Sequence, residues 1–271
     1  MTQQTQPRQL AAATSYQDLL VPALMEEWAP RVADAARIRP GDQVLDVACG
    51  TGVLTRAAAD RAGPTGTVTG LDLDPGMLAV AAHLSPTLRW QRGSAVALPF
   101  RDHSFDAVVS QFGLMFFPDP AAGLREMMRV LVPGGRLALA VWASLADTPA
   151  YAAEVALVDR LAGGAAADAL RAPFELGEAT RLSELCARAG LPAAQIEFRQ
   201  GRGCFPNIRI MVEADLRGWL PLMGIVLGED LIEEILRQAE PALQRFVTLD
   251  AGGVTFASPA LLVTATKPLP S

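Results

Sequence analysis

Cysteine, histidine and positive charge are all scarce in this chain. Its 271 residues hold three cysteines and two histidines, and 23 lysines and arginines stand against 29 acids for a formal charge of -6. Cys49, Cys186 and Cys204 are scattered without a CxxC pair or a histidine partner, which excludes a standard structural zinc motif. Their odd count suits a reducing compartment, with Cys186 and Cys204 expected as small core residues. No basic run offsets the acidic balance, which argues against a nucleic-acid surface. No segment stays apolar long enough to span a bilayer, and the polar opening MTQQTQPRQLAAATS lacks the apolar stretch of a signal peptide, so a cytoplasmic location is expected. What is present is ordinary globular material, 51% hydrophobic and 19% charged, long enough to bury a sizeable core.

The most informative stretch is QVLDVACGTGVLT at 43–55. Val44, Leu45 and Val47 are the short apolar run of a buried parallel strand, and Gly50 and Gly52 let the turn from Ala48 through Thr51 pass close to a ligand before a helix opens at Val53. The third glycine of a GxGxxG dinucleotide fingerprint is missing, so a pyrophosphate on the helix terminus is not the natural reading. Asp46 argues the same way: its carboxylate repels phosphate but suits a ligand with an ammonium group and ribose hydroxyls, such as S-adenosylmethionine. Asp72 closes the next strand about twenty residues on, where a nucleotide-binding sheet places an acid to bridge two ribose hydroxyls. Asp74, ahead of Pro75, reads as a helix cap. Leu73 and Met77 either sandwich an adenine or pack the core.

Strand and helix patterns alternate from 43 to 142, which predicts an α/β fold, mainly parallel with helices on both faces. Strands are expected near 43–48, 67–72, 88–92, 105–111 and 136–142, and helices near 53–62, 76–83 and 121–131. The whole reads as one domain: a helical N-terminal cap over 1–40, a core over 41–146, helical insertions at 147–176 and 207–247 with a glycine hinge at Gly177, and a final strand at 252–268. His83 and His103 are assigned to surface positions, and Arg125, Glu126 and Arg129 to a solvated helix face.

Four blocks carry a resemblance: VLDVACGTG at 44–52, GLDLDPGML at 70–78, GSAVALPFRDHSFDAVVSQFGLMFF at 93–117 and LREMMRVLVPGGRLALAVW at 124–142. From Gly41 to Trp142 the chain resembles the Rossmann-like class I S-adenosylmethionine-dependent methyltransferases, and within them the ubiquinone/menaquinone-biosynthesis-like branch. The resemblance implies that the last strand inserts antiparallel between its neighbours and that Gln111, at the end of the fourth strand, lies near the sulfonium. It also implies an adenine contact at Ser94 and Ala95, where the family usually carries an aspartate before the alanine. FGLMFF is either core or the apolar wall of an acceptor pocket. Tyr16, Trp28, Tyr151 and Trp219 are candidate pocket aromatics.

The expected activity is methyl transfer from S-adenosylmethionine to a small, largely apolar acceptor, aromatic, quinone-like or a natural product, chiefly by alignment and desolvation and without metal. The alternatives are a non-catalytic S-adenosylmethionine-binding sensor or scaffold, and a nucleotide-dependent oxidoreductase. The reading admits a homo-oligomer and names no general base.

Overall fold

The computed structural model describes residues 7–250 and 253–270. Residues 1–6 of the expected N-terminal cap, residue 252 at the start of the expected final strand, and residues 251 and 271 lie outside these. Seven strands form the central sheet in the order β3-β2-β1-β4-β5-β10-β6. They are β1 (Gln43–Val47), β2 (Thr67–Asp72), β3 (Arg89–Arg92), β4 (Phe105–Gln111), β5 (Leu131–Trp142), β6 (Gln195–Arg199) and β10 (Ala260–Thr266). β1 pairs in parallel with β2 on one side and β4 on the other, so the strand order reverses beside β1. Ligands of open α/β sheets bind beyond the strand ends at such a reversal.

β10 lies between β5 and β6 and runs antiparallel to both, with Ala260 opposite Trp142 and Arg199. Its first residue therefore sits at the same sheet edge as the ends of β1, β2 and β4. The segment expected over 252–268 as a hairpin or one long strand of the sheet is two elements in different sheets. β9 (Gly253–Ala257) instead pairs with β7 (Arg202–Phe205) and β8 (Thr248–Asp250) in a separate three-stranded sheet. The break at Ser258-Pro259 separates them, since proline cannot donate to a ladder.

The helices packed on the sheet are α2 (Trp28–Ala35), α3 (Val53–Ala62), α4 (Pro75–Leu84), α5 (Pro120–Val130) and α8 (Ala179–Arg188). Asp74 caps α4 by accepting from the Gly76 and Met77 amides at 2.6 and 3.2 Å, and Asp119 caps α5 by accepting from Ala122 at 2.9 Å. Each acid precedes a proline at the first helical position, where its missing N–H costs no bond.

Arg129 and Glu126 on α5 do not form a solvated face. The Arg129 guanidinium donates to the carbonyls of Leu98 and Phe100 and to Asp102, and Glu126 accepts from the Leu98 amide at 2.7 Å. The pair pins the 94–102 loop to α5, and their mutual salt bridge holds the fork in place. Cys204 is exposed on β7, because alternate residues of an edge strand face solvent. It is not a core residue; Cys186 is.

The two insertions fold as helices over the sheet edge. The first holds α6 (Pro149–Ala162) and α7 (Gly164–Arg171); the second holds α9 (Ile208–Glu213), α10 (Leu220–Leu222) and α11 (Glu229–Leu243). With α1 (Pro7–Ser15) and the helical turn at Tyr16–Met25 they form one roof, α6 packing on α11 and the 214–219 segment on both N-terminal helices. Tyr16–Met25 and Ala214–Trp219 are both π-helical. Pro22 lies inside the first and Pro221 just beyond the second, where the ring crowds the carbonyl of the preceding turn and favours a wider one. Gly177 is no hinge: a Cβ there would overlap the Ala143 and Ser144 backbone, so the position is a close crossing of two chain segments.

Candidate functional site

The end of β1 carries the charge of the site. Asp46 is fully buried, its Oδ2 accepting from the Thr55 hydroxyl at 2.6 Å and its Oδ1 without a partner. Burial pushes its carboxyl up to about 7, against the partial relief of the Thr55 bonds. After it the chain turns through left-handed backbone at Ala48, Gly50 and Gly52. Gly52 opens α3 in that conformation. The space beside Gly52 belongs to the Trp90 indole, which also lies against Gly70 on β2 and donates from Nε1 to Ser85 at 3.0 Å. The missing side chain at Gly52 thus admits a tryptophan, whereas a Cβ at Gly50 would meet the edge of Tyr16 at 4.0 Å.

Asp72, at the end of β2, is joined to that turn. Its Oδ2 accepts from the Gly50 amide at 2.8 Å and its Oδ1 from Asp74 at 2.9 Å. Burial raises its pKa while these donors work in the other direction. Thr51 is buried with its hydroxyl unpartnered, and its carbonyl accepts from Arg56 at 2.8 Å. Leu73 is 64% exposed, but Met77 packs beneath with Ala13 and Val80, so these two do not present equivalent faces. Ser94 and Ala95 lie in the loop after β3, the Ser94 hydroxyl reaching the Val96 amide at 3.4 Å. Gln111 ends β4, donates to the Met25 carbonyl at 2.9 Å and keeps a buried, unpartnered Oε1. It ties the strand edge to the N-terminal roof. The structure therefore brings Asp46, the 48–52 turn, Asp72 and Gln111 to one edge of the sheet.

Beside this edge lies a cavity of about 60 Å³. Its walls come from the strand ends (Phe112, Trp142), the loop at Phe116 and both insertions (Tyr151, Phe174, Asp215, Trp219), with Tyr16, Leu20, Leu24 and Met25 from the N-terminal roof. Both π-helical turns contribute. Tyr16 is the shared wall, because it meets Gly50 on one side and the cavity on the other. Its hydroxyl is held neutral by burial and then by the charge of Asp72. Phe112 stacks on Trp142 with centroids 3.5 Å apart. Trp28 stands behind them edge-on and does not reach the cavity, correcting its assignment as a pocket aromatic.

Sequence reasoning missed a buried acid pair. Glu154 on α6 and Asp215 in the 214–219 turn are 0% and 5% exposed. The signal was available: Tyr151, Glu154, Val155 and Val158 are spaced i, i+3, i+4, i+7 and all are buried, so an acid stands on the apolar face of that helix. Burial raises the pKa of both acids, and each raises that of Tyr151.

The methyltransferase-domain family matches residues 45–139, the strands and turn just described. Over 111 residues the chain is 44% identical to the demethylmenaquinone methyltransferases of Staphylococcus aureus strains JH9 and Newman. That match covers 40% of this chain and 46% of the relative, so the chain spans less than half the length of the curated relatives it matches. Among solved structures, the Haemonchus contortus phosphoethanolamine N-methyltransferase 2 superposes with a TM-score of 0.59 at 16% identity, over 94% of this chain and 57% of that one. The Bacillus subtilis YcgJ protein superposes with a TM-score of 0.57 at 20% identity, over 90% of this chain and 99% of that one. At such identities these two show the fold alone. Sheet order, domain match and sequence identity together give the chain a Rossmann-like class I methyltransferase fold, a methyltransferase-domain match over its core and the demethylmenaquinone methyltransferases as relatives at moderate identity over part of their length.

Proposed function

We propose that the chain methylates a small, largely apolar acceptor of aromatic or quinone-like character. The observation that carries this reading is the aromatic cavity sharing Tyr16 with the glycine turn, which sets an acceptor chamber directly beside the cofactor edge. S-adenosylmethionine, when bound, supplies a methyl group on a sulfonium whose C–S electron pair stays on sulfur as the methyl departs. The residues present fit it. Asp46 and Gln111 keep buried oxygens without a donor, as an ammonium-bearing ligand needs, and the Asp72 carboxylate retains acceptor capacity for ribose beyond its two backbone bonds. Ala48, Gly50, Thr51 and Gly52 would line the cofactor with backbone, and Leu73, Met77, Ser94 and Ala95 would border its base.

The chain's own work would be to bind, orient and dry the acceptor. A 60 Å³ cavity holds far less than the ~300 Å³ or more of a typical ligand pocket, so the roof at 147–176 and 207–247 must open to admit a ring. The activity for which the relatives are named, on demethylmenaquinone, points the same way as the aromatic walls. The test is transfer of label from methyl-tritiated S-adenosylmethionine to a short-chain prenylated 1,4-naphthoquinol, 1-naphthol and 1-naphthylmethylamine. Label in an apolar aromatic product supports the proposal, and label in none of them refutes it.

A further inference from the structure

The roof contains a device that binding and alignment do not require. Asp215 lines the acceptor cavity at 5% exposure, and its Oδ2 receives no hydrogen bond. Behind it Glu154 is wholly buried with both oxygens equally unserved, and the two carboxyls are close enough to interact side chain to side chain. Two ionised carboxylates cannot share so dry a site, so the pair keeps at least one proton and carries at most one negative charge.

Among the described residues, no cation is placed to cancel that charge, and no lysine, arginine or histidine lines the cavity. The cations of the surrounding helices are engaged elsewhere: Arg217 by Glu213 and Glu229, Arg209 by Glu233, Arg171 by Asp159 and Asp168. The other titratable groups of the cavity are Tyr16 and Tyr151, both kept neutral by burial. An uncompensated buried carboxylate costs several kcal/mol and persists only where something is to be gained from it.

We propose that Asp215, backed by protonated Glu154, is the catalytic base of the reaction, accepting the proton of a hydroxyl on the methyl acceptor's aromatic ring. This rests on the methyl-transfer reading above. The acceptor O–H bond breaks, its proton forms a new O–H bond on the Asp215 carboxylate, and its electron pair stays on the acceptor. That pair, on oxygen or relayed through the ring to carbon, is the nucleophile for the methyl group. The carboxyl pair ends with two protons and no charge, balancing the positive charge lost from sulfur, and returns one proton to water when the roof opens. Burial lifts Asp215 up to about 7, where a general base works best, and raises Glu154 well above its ordinary range.

Three measurements test this. In single-turnover transfer to the prenylated naphthoquinol, Asp215→Asn should slow the reaction about a hundredfold or more at pH 7 with S-adenosylhomocysteine affinity unchanged. It should recover as pH rises toward the ionisation of the acceptor's own hydroxyl. Glu154→Gln, whose amide stands in for the protonated acid, should slow the reaction less than Asp215→Asn does, and a loss as large as that of Asp215→Asn at every pH counts against the pair. In calorimetry with S-adenosylhomocysteine present, wild type should prefer 1-naphthol to 1-methylnaphthalene by about tenfold or more, and Asp215→Leu should lose the preference.

An Asp215→Asn rate equal to wild type, or a loss equal at every pH, overturns the proposal, as does transfer to 1-naphthylmethylamine alone. If wild type methylates no acceptor, the methyl-transfer reading fails, and the naphthol preference alone decides whether the pair recognises a hydroxyl. Should the Asp215 variants not fold by circular dichroism, the wild-type profile decides. A rate rising with pH through one ionisation above the usual carboxylate range supports the base, and a flat profile overturns it.

Discussion

Replacing Asp46 with asparagine removes one buried charge and leaves its shape and its Thr55 partner. The wild-type carboxyl is raised from 3.8 to about 7 in the fold. A raised carboxyl binds its proton more tightly folded than unfolded, so its contribution to stability is full below pH 4 and is lost as pH climbs through 7. Integrating between those two values, the group costs wild type about 3 kcal/mol between pH 5 and pH 8. Asparagine does not titrate. In a chain of this size that difference corresponds to on the order of 5–10 °C, so Asp46→Asn should gain that much on wild type in thermal unfolding as pH rises from 5 to 8. Asp72, Glu154 and Asp215 are likewise raised by burial but are common to both proteins, so a gap that opens with pH reports chiefly on Asp46. Cofactor affinity should move oppositely, because the variant offers no charge to an ammonium group. A gap between the two proteins that stays constant with pH would refute the reasoning.

Asp72→Ala deletes the proposed ribose acceptor and frees the Gly50 amide, so S-adenosylhomocysteine binding should weaken by about 2 kcal/mol, roughly thirtyfold by calorimetry. Ser94→Asp should preserve or modestly tighten that binding, since a charged acceptor would face the adenine amine; abolished binding with the fold intact would misplace Ser94. Gly177→Ala should cost at least 1–3 kcal/mol in urea unfolding, because its Cβ would overlap backbone that cannot yield. Hydrogen exchange should show 147–176 and 207–247 gaining protection when S-adenosylhomocysteine and 1-naphthol are added together, and equal protection in every state would rule out an opening roof.

The core was legible because its signals are local. A short apolar run, glycines, an acid and a helix start at 44–53 specify β1, the turn and α3 without reference to the rest of the chain. Asp74 announced its helix in the same way, as a cap before proline, and the structure shows the same arrangement at Asp119. Contacts between distant segments were not legible. Gly177 resembled a hinge because glycine permits either freedom or close approach, and only the crossing with Ala143 decides which. Arg129 and Glu126 looked solvated at i, i+3 until a loop about 30 residues upstream in the sequence folded onto them. The Trp90 indole beside Gly52 and Gly70 likewise depends on the β2–β3 register. Glu154 was readable from its helical period as a buried acid, but its partner Asp215 lies 61 positions away and reaches it only through the packing of the roof.

The β1 turn and Asp72 are proposed to hold an adenosyl sulfonium cofactor beside an acceptor chamber. Parallel calorimetric titrations of the full chain with S-adenosylhomocysteine and with NADH test it most directly. The account predicts one S-adenosylhomocysteine bound per chain, lost or greatly weakened in Asp72→Ala, and no NADH binding. Binding of NADH in preference, or S-adenosylhomocysteine binding indifferent to Asp72, would contradict it.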